Sequence, residues 1–209
     1  MSRTSRRDGD ATRERLLTAA LDLYGTIGFL GTTTPALAER AGVAEGTIYR
    51  HFTSKEHLLN EAYRRAQRWA TEMLRSFEGD RIRRAPERLA LLGRQLVEAA
   101  AVEPALARML FSTAHDRFLD TQSRDARREF LSGLVQMIAM GKSDGRVRAG
   151  PAELWAAVWL AVVGYAVERV AAKEWGPDGG PVTLTLEAAW DAIANREAAP
   201  PQEAPRPLV

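Results

Sequence analysis

From Lys55 onward, apolar side chains recur at Leu59, Ala62, Ala66, Ala70, Met73 and Phe77. This is the 3.6-residue period of a helix with one buried stripe. The stripe runs to about Glu78, 24 residues in all, which at 1.5 Å per residue is a rod of roughly 36 Å. A rod that long spans more than one small core, so the chain must place a region at each end of it. No segment elsewhere alternates with the period of a strand, and an all-α fold follows.

Ahead of the rod, Leu16, Ala20, Leu23 and Ile27 form a first stripe that Gly25 and Gly28 bring to an end. Thr32, Thr33, Thr34 and Pro35 are a helix start signal: a hydroxyl caps free amides and proline suits the first turn. A short second helix should run to Ala41 and a third from about Ala44 to Phe52. Between them Ala38, Gly42 and Ile48 are spaced 4 and then 6. A small residue lets two helices cross closely, a glycine accepts a left-handed turn, and a branched apolar residue plugs the angle. This is a helix-turn-helix pattern. If Ile48 and Phe52 face inward, then Gly46, Thr47, Tyr49 and Arg50 face water. Gly46 there costs about 1 kcal/mol against alanine, which the close approach of another surface would explain. Lys55 opposes the positive end of the rod's dipole. A phosphate held by Ser54, Lys55 and the helix N-terminus would relieve that conflict, and Thr33 could hold another.

Residues Arg13 to Leu59 closely resemble the TetR family of bacterial transcriptional regulators. The resemblance runs through Gly28-Phe29, Thr32-Thr33, Leu37 to Val43, Gly46 to Phe52 and Ser54-Lys55-Glu56. It implies an N-terminal three-helix helix-turn-helix DNA-binding domain followed by a helical ligand-binding and dimerisation domain. It also implies that Thr33, Tyr49, His51 and Lys55 touch phosphates of an operator duplex, while Glu45, Gly46, Thr47 and Arg50 lie near base edges. Ala44 departs from the pattern, since many members carry a capping serine there. Glu45 departs too; it is equally suited to a helix N-terminus and to accepting a hydrogen bond from a cytosine. The expected divisions are an arm over 1–11, the DNA-binding domain over 12–58, the helical domain over 59–196 and a proline-rich disordered tail over 197–209.

Composition narrows the function classes. With no cysteine and three histidines, disulfide scaffolds, thiolate metal sites and cysteine nucleophiles are excluded, and no metal or other cofactor is expected. No catalytic spacing is recognisable, so the chain is not expected to be an enzyme; His115 with Asp116 is only an adjacency. Net charge is +2. Residues 1–68 hold 11 Lys/Arg against 8 Asp/Glu, a mild basic excess at the end where a nucleic acid would bind. Arg3, Arg6 and Arg7 either reach a minor groove or simply add charge. Met1 to Arg15 is polar and charged, which predicts a cytoplasmic protein without a signal core. The most apolar run, Leu154 to Val167, is 14 residues, short of the roughly 20 that cross a bilayer, and no membrane partner is expected.

Beyond the rod, helices are expected at about 86–102, 105–116, 121–141, 151–174 and 183–195. The fourth of these is apolar nearly all round, and the last carries Leu184, Leu186, Trp190 and Ile193 on one stripe. Two such helices from each of two protomers would close a four-helix bundle, so a homodimer through 151–174 and 183–195 is expected. Trp69, Met73, Phe77, Met109, Phe111, Phe118, Phe130, Met137 and Trp159 are candidates for lining a pocket for a small apolar or aromatic effector, with His115, Asp116 or Glu129 as polar selectors. The alternative is a helical interaction module whose helix-turn-helix is only a packing corner.

Overall fold

The computed structural model describes residues 3–77 and 84–196. Among the described residues every regular element is helical: α1 (Arg3–Thr26), α2 (Gly28–Gly31), α3 (Thr34–Ala41), α4 (Glu45–His51), α5 (Lys55–Arg75), α6 (Ala85–Val102), α7 (Pro104–Phe111), a 3-10 turn at Asp116–Phe118, α8 (Thr121–Ser143), α9 (Ala152–Ala171) and α10 (Gly180–Asp191). α1 packs on α3 and the start of α5 to make a small bundle around Leu16, Ala20, Leu37, Ile48, Phe52 and Leu58. α5 runs out of this bundle into a second one, where it lies against α8 and α7 while α9 is sandwiched among α6, α7, α8 and α10. The two bundles share one continuous core, because α1 also packs on α7.

Several boundaries differ from the sequence expectation, each for a local reason. The arm expected over 1–11 is helical from Arg3: extending an existing helix fixes few dihedrals per hydrogen bond gained, so Gly9 is tolerated despite its propensity cost. The expected tail over 197–209 lies outside the described residues. The rod is 21 residues, about 32 Å, and ends at Arg75. α7 stops at Phe111 and its continuation is the 3-10 turn; Ser112 and Thr113 follow it, residues that compete for backbone hydrogen bonds. α10 begins at Gly180, with Pro181 in its first turn. It ends before residue 195 because Ile193 O accepts from Arg148 N at 2.9 Å and Asn195 N donates to Arg146 O at 2.8 Å, pairing Val147 with Ala194 as a bridge.

α9 reaches 20 residues and is, by length and composition alone, long and apolar enough to cross a bilayer, a correction to the reading from the 14-residue run. Its face with Ala156, Trp159, Val163, Ala166 and Val170 is buried in the second bundle, the setting of a core helix.

Candidate nucleic-acid interface

The helix-turn-helix is built by caps. Thr33 Oγ1 accepts from Ala36 N at 3.3 Å at the start of α3, satisfying one of the amides a helix N-terminus leaves free. At its end Gly42 stands at φ 63°, ψ 45°, a left-handed conformation that costs a residue with a Cβ roughly 1–2 kcal/mol. The chain then turns: Gly42 N donates to Glu39 O at 3.1 Å and Val43 N to Ala38 O at 3.0 Å. Ala38 and Ile48 are buried at the crossing, with relative exposures of 5% and 1%. The spacing trio thus occupies the positions its chemistry requires.

α4 presents the opposite face to solvent. Glu45, Gly46, Tyr49 and Arg50 are exposed, Thr47 and His51 half-buried; Tyr49 is 56% exposed. A Cβ added at Gly46 would meet nothing within 4 Å, so packing within this chain does not call for glycine there. Ala44 gives α4 no side-chain cap, and Glu45 supplies the favourable charge at that end instead. Thr33 is exposed beside the same surface, and Arg15 Nη1 reaches the Gly42 carbonyl at 3.4 Å, a contact that sequence spacing gave no means of finding.

Lys55 lies differently from expectation. Its Nζ donates to Phe29 O at 3.0 Å and Thr32 O at 2.8 Å and stands 4.2 Å from the Phe29 ring centroid. The ammonium therefore satisfies carbonyls around the short α2. The dipole conflict that pointed to a phosphate is relieved from inside the protein. Ser54 does cap α5, accepting from His57 N at 3.1 Å.

A polar strut joins this domain to the second bundle. Arg64, with 8% side-chain exposure, pairs with Glu61 at 2.7 Å and Asp120 at 2.8 Å, and Glu61 also receives Arg13 from α1 at 2.8 Å. Burial pushes the Glu61 and Asp120 carboxyls up, but hydrogen bonds outweigh it and hold both below their ordinary values: Arg64 and Arg13 for Glu61, Arg64 and Ser123 for Asp120. Asn60 adds a bond to Phe118 O at 3.0 Å and receives Asp120 N at 2.8 Å.

The nine candidate pocket residues do not share one cavity. Met109, Phe130, Met137 and Trp159 are core, 0–4% exposed, and Phe77 is 6% exposed; their helical spacing set them on inward stripes that neighbouring helices fill. Phe118 packs on Phe29, ring centroids 4.4 Å apart. Phe111 lines a cleft of about 400 Å³ with Gly25, Arg108 and Gly164. Trp69 and Met73 line a separate groove of about 510 Å³ between α5 and α6. Of the polar selectors, Asp116 pairs with Arg127 at 2.8 Å and Glu129 with Arg75 at 2.6 Å. His115 is 1% exposed, its ring sealed in the core with the Tyr24 ring 6.4 Å away. Among the described residues no cluster of His, Asp or Glu could hold a metal ion.

Residues 16–62 match the family model for bacterial regulatory proteins of the tetR family. Over this stretch the chain is similar to the N-terminal domain of that family. The transcriptional repressor KstR of Rhodococcus jostii (strain RHA1) is 49% identical over 53 residues, 25% of this chain and 25% of that protein. The regulator YvkB of Bacillus subtilis (strain 168) is 36% identical over 69 residues, 33% of this chain and 36% of that protein. The matched stretches thus span between 25% and 36% of these relatives' own length. A TetR family transcription regulator from Marinobacter aquaeolei VT8 superposes with a TM-score of 0.76 over 91% of this chain and 100% of that one, at 22% identity, a likeness of fold that extends through the second bundle.

Proposed function

We propose that the protein is a cytoplasmic, homodimeric transcriptional repressor. It reads an operator with the outward face of α4 and leaves it when a small effector binds the second bundle. The observation that carries this is α4 itself: the second helix of a helix-turn-helix in a stretch similar to the TetR family, anchored by buried Ile48, with Gly46, Tyr49 and Arg50 turned to solvent. Glu45, Gly46, Thr47 and Arg50 are assigned to base edges, and Thr33, Tyr49 and His51 to phosphates. Lys55 is assigned to positioning, since two of its donors hold carbonyls.

Dimerisation is supported by the outer face of α9 and α10. Leu154, Ala157, Ala161 and Tyr165 are exposed at helical spacing, and Leu154, Tyr165 and Leu184 are 50%, 55% and 68% exposed. A contiguous apolar strip of this kind is typical of an association surface. For the effector, the groove at Trp69 and Met73 brings together two of the candidates from the sequence, where the cleft at Phe111 holds one. It leans on α5, the helix whose first turn holds the DNA-binding domain, 14 residues or about 21 Å upstream of Trp69.

Selection from random duplex DNA by the full chain tests the reading. Enrichment of a two-fold symmetric sequence is expected; a folded protein that enriches none would contradict it.

A further inference from the structure

The groove between α5 and α6 carries more chemistry than its apolar lining. Trp69 and Met73 form one wall, and Val102, 80% exposed, stands at its rim with Ala99. Glu72 and Glu98 also line it, both exposed and neither in an ion pair among the described residues. Of the arginines spaced to reach them, Arg75 is committed to Glu129 and Arg94 to Asp178 and the Pro177 carbonyl, while Arg68, one turn before Glu72 on α5, is exposed and does not line the groove. Gln95 adds a side-chain oxygen that is buried and has no hydrogen-bond partner. Among the described residues no lysine or arginine lines the groove. Two carboxylates and an unmet acceptor thus share a cleft with an indole and a thioether.

This set of groups is complementary to one kind of molecule. An indole face attracts a cation through its quadrupole, apolar surface rewards a large ligand with diffuse charge, and unpaired carboxylates repel anions. We propose that the groove binds a lipophilic organic cation, oriented between Glu72 and Glu98 and packed against Trp69. The proposal rests on the reading of this groove as the effector site and names the class of effector it takes. A volume of about 510 Å³ lies within the range of small-molecule sites.

Tetraphenylphosphonium and tetraphenylborate are near-identical in size and apolarity and opposite in charge, which makes them the probes. Calorimetric titration of the full chain should give an affinity for the phosphonium at least about tenfold above that for the borate, falling as salt is raised. The Glu72→Gln, Glu98→Gln double variant should keep its helical circular dichroism and melting temperature and lose that preference. Trp69→Ala should weaken the phosphonium alone or more than the borate. Equal or tighter binding of the borate, or an undiminished preference in the double variant, would overturn the proposal. Phosphonium binding that needs both carboxylates yet leaves operator affinity unchanged would uphold the ligand class and contradict the effector reading on which the switch depends.

Discussion

At the level of single residues, the most informative positions are those where side chain and backbone disagree about what is needed. Ala44 sits where a hydroxyl would cap α4 and offers none. Ala44→Ser should therefore raise stability by about 1 kcal/mol, read as a shift in the urea midpoint without a change in slope. Lys55 was legible as an anomaly, a cation at a helix N-terminus, but not as a partner of Phe29 and Thr32, because carbonyls of α2 come near it only after the chain has folded back. Lys55→Ala should lower both stability and operator affinity while leaving the salt slope of binding nearly unchanged. A slope reduced by about one counterion would return Lys55 to the phosphate contacts. Tyr49→Ala, by contrast, should weaken DNA binding with little effect on folding, since its ring is mostly in water.

His115 belongs to the same scale. Burial pushes its imidazole below the ordinary value, opposed in part by the Tyr24 backbone and the Asp116 carboxylate, and the Tyr24 ring is 6.4 Å away. Because the unfolded chain takes up the proton more readily, stability is full above pH 6.5 and falls as pH drops below it. Urea titrations at pH 7.5 and 5.5 should differ in the wild type and converge in His115→Leu; an equal difference in both would show that another group carries the dependence. Sequence could name this histidine but not that its ring is sealed from water beside Tyr24.

At the level of elements, helical period was enough to find the rod, the α3 and α4 pair and the four long helices of the second bundle. Each has a continuous inward stripe. It missed α2, whose four residues are too few to show a period, and it ran α7 into the 3-10 turn. The outward face of α4 was legible because turn chemistry and the cap of α3 are local, within Thr33 to Phe52. The groove was legible only in part: period marks which residues point inward but not whether a neighbouring helix fills the space, which is why Trp69 and Met73 line it while Met109 and Trp159 are sealed in the core. The Arg64 strut, which links α1, α5 and α8 across 48–59 residues of sequence, had no local signal. Its carboxyls are held low, so what they contribute is present above about pH 4 and lost as pH falls through their lowered values. Asp120→Asn, which preserves the cap of α8, should cost about 1 kcal/mol at neutral pH and reduce the acid dependence below pH 4. Unchanged acid unfolding would remove the strut from the account.

At the level of the whole molecule, the two bundles share a core, so a ligand that wedges α5 from α6 presses on the helix that also carries the DNA-binding domain. In the proposed function two such domains are held at a fixed separation so that both copies of α4 enter one duplex, and the apolar strip of α9 and α10 is the surface we propose for that pairing. A charge placed in it, Leu184→Glu, should shift the protein toward monomer in sedimentation velocity and weaken operator binding by more than the loss of any one phosphate contact. A dimer unaffected by the change would move the interface elsewhere.

The most direct measurement is a chemical footprint of the full chain on its selected duplex. Two protected major-groove patches on one face, centred about 34–36 Å apart and both lost in Tyr49→Ala, are the predicted result. Protection that is uniform along the duplex, or a single patch that survives Tyr49→Ala, would contradict the claim that paired copies of α4 read the DNA.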